Sequence, residues 1–187
     1  LAAAGVAIAL FAEDAPVATP RPVAPVFEEL GGHRHLITTR STEAQRYFDQ
    51  GLMLLFNFNH QEAIRSFRAA ATLEPQSAMA HWGEAFAHGP HINAPMGDEA
   101  VAPAWAALQE AITRRPLASP REQAYIDALA RRYAAPGAAQ DRAALDRAFA
   151  EAMRGVATAY PDDHDAMVLF VDAVMNTMPW DYWQADK

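Results

Sequence analysis

A helical pattern that returns after 34 residues constrains this chain more than any other feature. The stretch from Tyr47 to Ala85 reads YFDQGLMLLFNFNHQEAIRSFRAAATLEPQSAMAHWGEA, and its small residues Gly51 and Ala85 stand 34 positions apart. Apolar residues between them recur at helical rather than strand spacing. A unit of that length is one helical hairpin, whose apolar face is buried only by stacking on a neighbour. The expected fold is therefore all-α, an αα-hairpin solenoid of about three hairpins plus one further helix. Composition agrees, because alanine and leucine abound and runs of alternating β-branched residues are missing. With 187 residues, 51% of them hydrophobic, the chain can bury a substantial core.

Helix punctuation divides the chain further. Thr42 with Gln45 and Asn59 with Glu62 read as capping boxes, a cap followed three residues later by a side chain able to reach back. Ser119, Pro120 and Glu122 repeat the signal with proline at the first helical position, and Asp162 or Asp163 opens the last segment. Helices are expected at 42–57, 60–73, 78–88, 99–115, 120–134, 139–159 and 163–178.

Tyr47, Gly51, Leu54, Ala63, Phe67, Ala70 and Pro75 occupy, in order, the packing positions of the tetratricopeptide repeat, and this hairpin resembles that family. The next hairpin starts in register with His81, Ala85 and His88. Its second helix lags, since Leu108, Ala111 and Pro116 follow Phe67, Ala70 and Pro75 by 41 residues rather than 34. The extra residues fall in GPHINAPMG, 89–97, expected as a loop on one edge, where function often sits. A third hairpin at 120–159 is degenerate, with Phe149 where the pattern wants a small residue. The blocks YFDQGL, FNHQEAIRSF, AMAHWGEAFAHGP and HINAP are similar to a group of exported bacterial tetratricopeptide proteins known by their repeats alone. That resemblance spans residues 33 to about 183 and implies a scaffold without an assigned catalytic residue. It also implies helices beyond 163–178, so the repeat domain at 41–187 is expected to be truncated at its C-terminus; otherwise its last helix caps the array.

The N-terminal segments speak to location. Residues 1–12, LAAAGVAIALFA, read as a signal-peptide remnant or apolar tail, too short for the roughly 20 apolar residues of a membrane span. Residues 13–40 read as an extended proline-rich linker, with four prolines between 15 and 27. A periplasmic or otherwise exported bacterial protein is expected, with an N-terminal membrane tether possible and no integral membrane span. A net charge of −8 and a pI near 5.3 argue against general nucleic-acid binding, which needs a clustered basic surface. Without cysteine there is no disulfide and no thiolate ligand or nucleophile.

Function is sought in the apolar faces and the histidines. Phe48, Leu52 and Leu55 form a stripe beside the repeat's own packing stripe, and Met79, Trp82 and Phe86 match it on the third helix. By analogy with the family these six line a concave groove for a protein or peptide partner, and polar replacement of Trp82 or Phe86 would weaken capture without unfolding. The competing reading is that the proline-rich segment or downstream helices already fill that groove. His81, Glu84 and His88 share one helix face, with His91 in the insertion, a donor set suited to copper or zinc. Against it, the 34-residue offset places His81 on Tyr47 and His88 on Leu54, both packing positions. His33 and His35 read as a solvated pair, His60 as packing on helix one, and Trp180, Tyr182 and Trp183 as core or a binding patch. The zinc-peptidase helix, GxSxG, the Walker loop and GxGxxG are absent, so a non-catalytic scaffold is expected. The remaining alternative is the N-terminal part of a larger enzyme.

Overall fold

In a computed structural model the described residues are 23–178. The expected signal remnant and the Trp180, Tyr182 and Trp183 cluster lie outside them. Seven α-helices follow one another: α1 Thr42–Phe56, α2 His60–Leu73, α3 Ala78–Ala87, α4 Asp98–Arg114, α5 Pro120–Leu129, α6 Arg142–Ala159 and α7 His164–Asn176. A short 3₁₀ turn, Arg115–Leu117, joins α4 to α5, and the described residues contain no strand beyond an isolated His91–Ala94 bridge. No helix among them is long and apolar enough to cross a membrane. Each helix packs on the next, and α3 at the centre also touches α1 and α5.

The caps place most helix starts within a residue or so of expectation, but the bonds differ. Ser41, not Thr42, caps α1, its hydroxyl accepting from the Ala44 N–H at 3.0 Å. Gln45 is thereby free to act as a surrogate strand: its Nε2 donates to the His35 carbonyl at 2.8 Å and its Oε1 accepts from the Ile37 N–H at 3.0 Å. Asn59 sits at the α2 cap without a side-chain bond. The Ser119–Glu122 box forms in full with Pro120 at the first helical turn. Buried Glu122 also accepts from the Thr38 N–H and hydroxyl.

Helix α5 stops at Leu129, five residues before the expected end at 134, because tertiary contacts outweigh helix propensity there. The chain turns so that Arg132 enters the core between the rings of Phe86 and Phe149, 4.9 and 4.7 Å from their centroids, and donates to the Pro90 carbonyl at 2.6 Å. Tyr133 donates to the Ala85 carbonyl at 2.7 Å. The first of these bonds pins the 89–97 insertion to the body of the fold, and the second ties the turn after α5 to α3. Phe149, the residue that breaks the repeat pattern, is thus part of the aromatic clamp on Arg132.

The proline-rich stretch expected as a linker is tied to α1 at several points, although most of its described residues stay exposed. Tyr47 donates to the Ala24 carbonyl at 3.0 Å, Gln50 donates to the Pro25 carbonyl at 2.9 Å, and the Phe27 N–H donates back to Gln50 at 2.8 Å. Prolines leave carbonyls without paired amides, and α1 supplies the donors.

Phe67 is fully buried at the α1–α2–α3 junction. A Cβ at Gly51 would stand 2.7 Å from its ring, and one at Gly83 would stand 2.4 Å away. The ring is pressed from two helices, so it cannot retreat from a methyl on either side. Gly83→Ala is therefore expected to destabilise the fold by about 1–3 kcal/mol in urea unfolding. Adding Phe67→Leu should recover part of that loss, a coupling that independent sites would not show.

Candidate functional site

The six nominated groove residues are all buried: Phe48, Leu52, Leu55, Met79, Trp82 and Phe86 expose at most 6% of their surface. They do not form a free groove, because α5, α7 and the 33–38 segment close over them. Trp82 packs edge-on to Tyr125 of α5 with ring centroids 5.5 Å apart, and its Nε1–H donates to the Tyr125 carbonyl at 3.2 Å. His35 packs against Phe48 and Tyr125 at 6.0 and 5.5 Å. Trp82 is thus core, and polar replacement there removes fold rather than capture.

One end of the stripe stays open. Beyond Leu55 and Phe86 lies an apolar cavity of about 240 Å³, walled by Phe58, His60 and His91 on one side and by Val168, Val171 and Met175 of α7 on the other. Phe58 has φ +59°, the left-handed region, and closes α1 with its own N–H donating to Leu55 and the Asn59 N–H donating to Leu54. Glycine usually takes that position in this C-terminal motif. Phe58 is half exposed, as are Val168 and Val171. His60 and His91 stack with centroids 4.1 Å apart and planes 15° apart. The His60 Nδ1 contacts the Phe58 carbonyl at 3.1 Å, and the Asn93 N–H donates to the His91 Nδ1 at 3.3 Å. Burial holds both imidazoles below their ordinary pKa; His91 adds to the effect at His60, while Asp172 opposes it at His91. Burial in turn pushes the Asp172 carboxyl up against the pull of Arg132.

The nominated metal set does not converge. Glu84 pairs with Arg68 at 2.7 Å, the His88 Nε2 lies 3.9 Å from Glu84, and His91 is engaged with His60. The His81 and His88 Nε2 atoms are buried without a partner. Both residues are part-buried, and among the described residues neither joins a group of three ligand side chains.

A different polar centre forms between the 33–38 segment and the start of α7. His35 Nδ1 lies 2.7 Å from Asp165 Oδ2, and His33 Nε2 lies 3.0 Å from Asp165 Oδ1. Asp163 caps α7 through the Ala166 N–H and accepts from the Tyr125 hydroxyl at 2.9 Å, with Arg121 3.6 Å away. Burial pushes Asp165 up, but the His35 bond and the charges of both histidines outweigh it and hold the carboxyl below its ordinary value. Burial, then Asp163, pushes Tyr125 upward, so its phenol stays a donor. Among the described residues His35, Asp163 and Asp165 form a group that can hold a metal ion, one ligand atom of each lying within 4.8 Å of the others. By sequence alone His33 and His35 read as a solvated pair, because the aspartates they meet lie some 130 residues away.

Comparison of the chain with protein-family models, with curated proteins and with solved structures returns no match in any of the three.

The lowered imidazoles set a pH dependence. His60, His81 and His91 all lie below their ordinary 6.5, burial being the largest cause in each. As pH falls through 6.5 the unfolded chain takes protons first, so stability is full above that value and declines below it. Urea unfolding at about pH 7.5 and about pH 6 should give the lower stability at the lower pH, and His60→Gln should flatten the difference. Stability rising on acidification over that window would contradict this account of the three rings.

Proposed function

We propose that this chain is a tetratricopeptide-like scaffold, non-catalytic and exported, that binds an amphipathic helix of a partner protein at the open end of its apolar stripe. The repeat assignment is supported by the helix order and by Phe67 seated against Gly51 and Gly83. Export is supported by the apolar run at 1–12 and the proline-rich stretch behind it. The observation that carries the binding site is the cavity between Phe58 and α7, whose α7 wall is made by Val168, Val171 and Met175 at helical spacing. Val168 and Val171 are each close to half exposed, and with Met175 they make a row that matches the apolar stripe of a second helix. At about 240 Å³ the cavity is smaller than the roughly 300–1,000 Å³ of small-molecule sites and suits one bulky apolar side chain as an anchor.

Phe58 favours the same reading. An aromatic residue in a left-handed position costs about 1–2 kcal/mol relative to glycine, and strain of that kind concentrates at functional positions. Phe58→Gly is expected to leave unfolding stability unchanged or raise it by up to about 1 kcal/mol. Helical peptides selected from a displayed library against the wild-type chain should lose at least about tenfold in affinity for Phe58→Gly and for Val171→Asp, both of which stay folded because the side chains are half exposed. Binders that tolerate both changes would place recognition elsewhere.

A further inference from the structure

We propose that His33, His35, Asp163 and Asp165 form a binding site for a divalent metal ion of the zinc class, separate from the partner-binding cavity. Two imidazoles from one short segment meet the Asp165 carboxylate of α7 at 2.7 and 3.0 Å, and a second carboxylate, Asp163, stands beside His35 and Asp165. Two nitrogen and two oxygen donors match the preference of zinc for imidazole with carboxylate in four-coordination. In such a site ligand atoms stand about 3.3 Å apart, given bonds of about 2.0–2.1 Å. The donors of His35, Asp163 and Asp165 already stand from 2.7 to within 4.8 Å of one another, which brackets that value, while His33 touches the group only through Asp165 and has to turn its ring inward to become the fourth ligand.

The supporting shell is built to hold His35. Its N–H donates to Asp49 at 3.0 Å and its carbonyl accepts from Gln45 at 2.8 Å. Arg121 donates to the Leu36 carbonyl at 2.7 Å, and Thr38 is bound twice by Glu122. Tyr125 fixes Asp163 from the other side. Outer-shell bonds of this kind orient metal ligands, and a plain surface turn does not need them. Two full carboxylate charges outweigh the roughly half positive charge at the α7 N-terminus. His33 is the most exposed of the four and borders an open cleft of about 420 Å³, which gives an ion a way in.

Zinc would take the place of the proton shared by His35 and Asp165. With the metal on Nδ1, the imidazole proton moves to Nε2, which is buried without a polar partner beside the Tyr125 ring, an edge-on contact at 72°. Because the ligands must be unprotonated, affinity should fall on acidification.

The test is titration of the untagged 187-residue chain with zinc(II) against a chromophoric chelator, with thermal unfolding in parallel. One zinc per chain and a raised melting temperature are expected. His33→Ala is the deciding variant, since His33 is partly exposed and its loss leaves the core intact; it should weaken zinc at least about tenfold. Tyr125→Phe should weaken it to a lesser extent, and His91→Gln should leave it unchanged. No zinc uptake at micromolar concentration, or equal affinity in wild type and His33→Ala, would leave the four residues as a hydrogen-bonded structural network and overturn the proposal.

Discussion

The close seat of Phe67 between Gly51 and Gly83 is the contact on which the rest of the structure depends. A ring that comes within van der Waals contact of two backbones draws α1, α2 and α3 together, and everything else is referred to that triangle. With α1 and α3 so placed, Phe48, Leu52 and Trp82 present one continuous apolar surface, and Phe48 packs directly on Phe67 with centroids 5.5 Å apart. Such a surface must be covered, and α5, α7 and the 33–38 segment cover it. The polar centre at His35 and the cavity at Phe58 lie where that cover meets other parts of the chain.

Local chemistry explains what was legible beforehand. Helix starts are encoded by caps within a few residues, and the placements near 42, 78, 120 and 163 survive because Ser41, Ser77, Ser119 and Asp163 act over three residues. Where a helix ends for tertiary reasons the same reading fails. Nothing near Ala130 forbids helix, yet α5 stops so that Arg132 can reach Phe86, Phe149 and the Pro90 carbonyl. Gly83 escaped notice for a related reason. The repeat pattern draws the eye to Ala85, whereas the ring of Phe67 needs the glycine two residues earlier.

The site was less legible than the fold. Both apolar stripes of α1 were visible, and the second was assigned to a groove on the strength of a family analogy. The elements that bury it come from 33–38 and from residues beyond 120, whose return no local pattern announces. Histidines were ranked by helical spacing, which favoured His81, Glu84 and His88. Spacing along one helix aligns side chains but brings no second element to them, whereas His33 and His35 gain Asp165 from the far end of the described chain. The Phe58 turn carries no local signal, because a large aromatic is poorly suited to a left-handed position and the neighbouring Asn57 and Asn59, which suit it better, do not take it.

The central claim is that the apolar stripe of α1 and α3 is closed core, with binding confined to its edges. Hydrogen exchange at the Trp82 indole N–H, followed by nuclear magnetic resonance in the unliganded chain, tests this most directly. The Trp82 Nε1–H is buried and donates to the Tyr125 carbonyl, so exchange should need opening of α5 from α3 and be slowed toward the rate set by global unfolding. Exchange close to that of a free indole would mean that α5 does not close over the stripe, and would restore a solvent-filled groove.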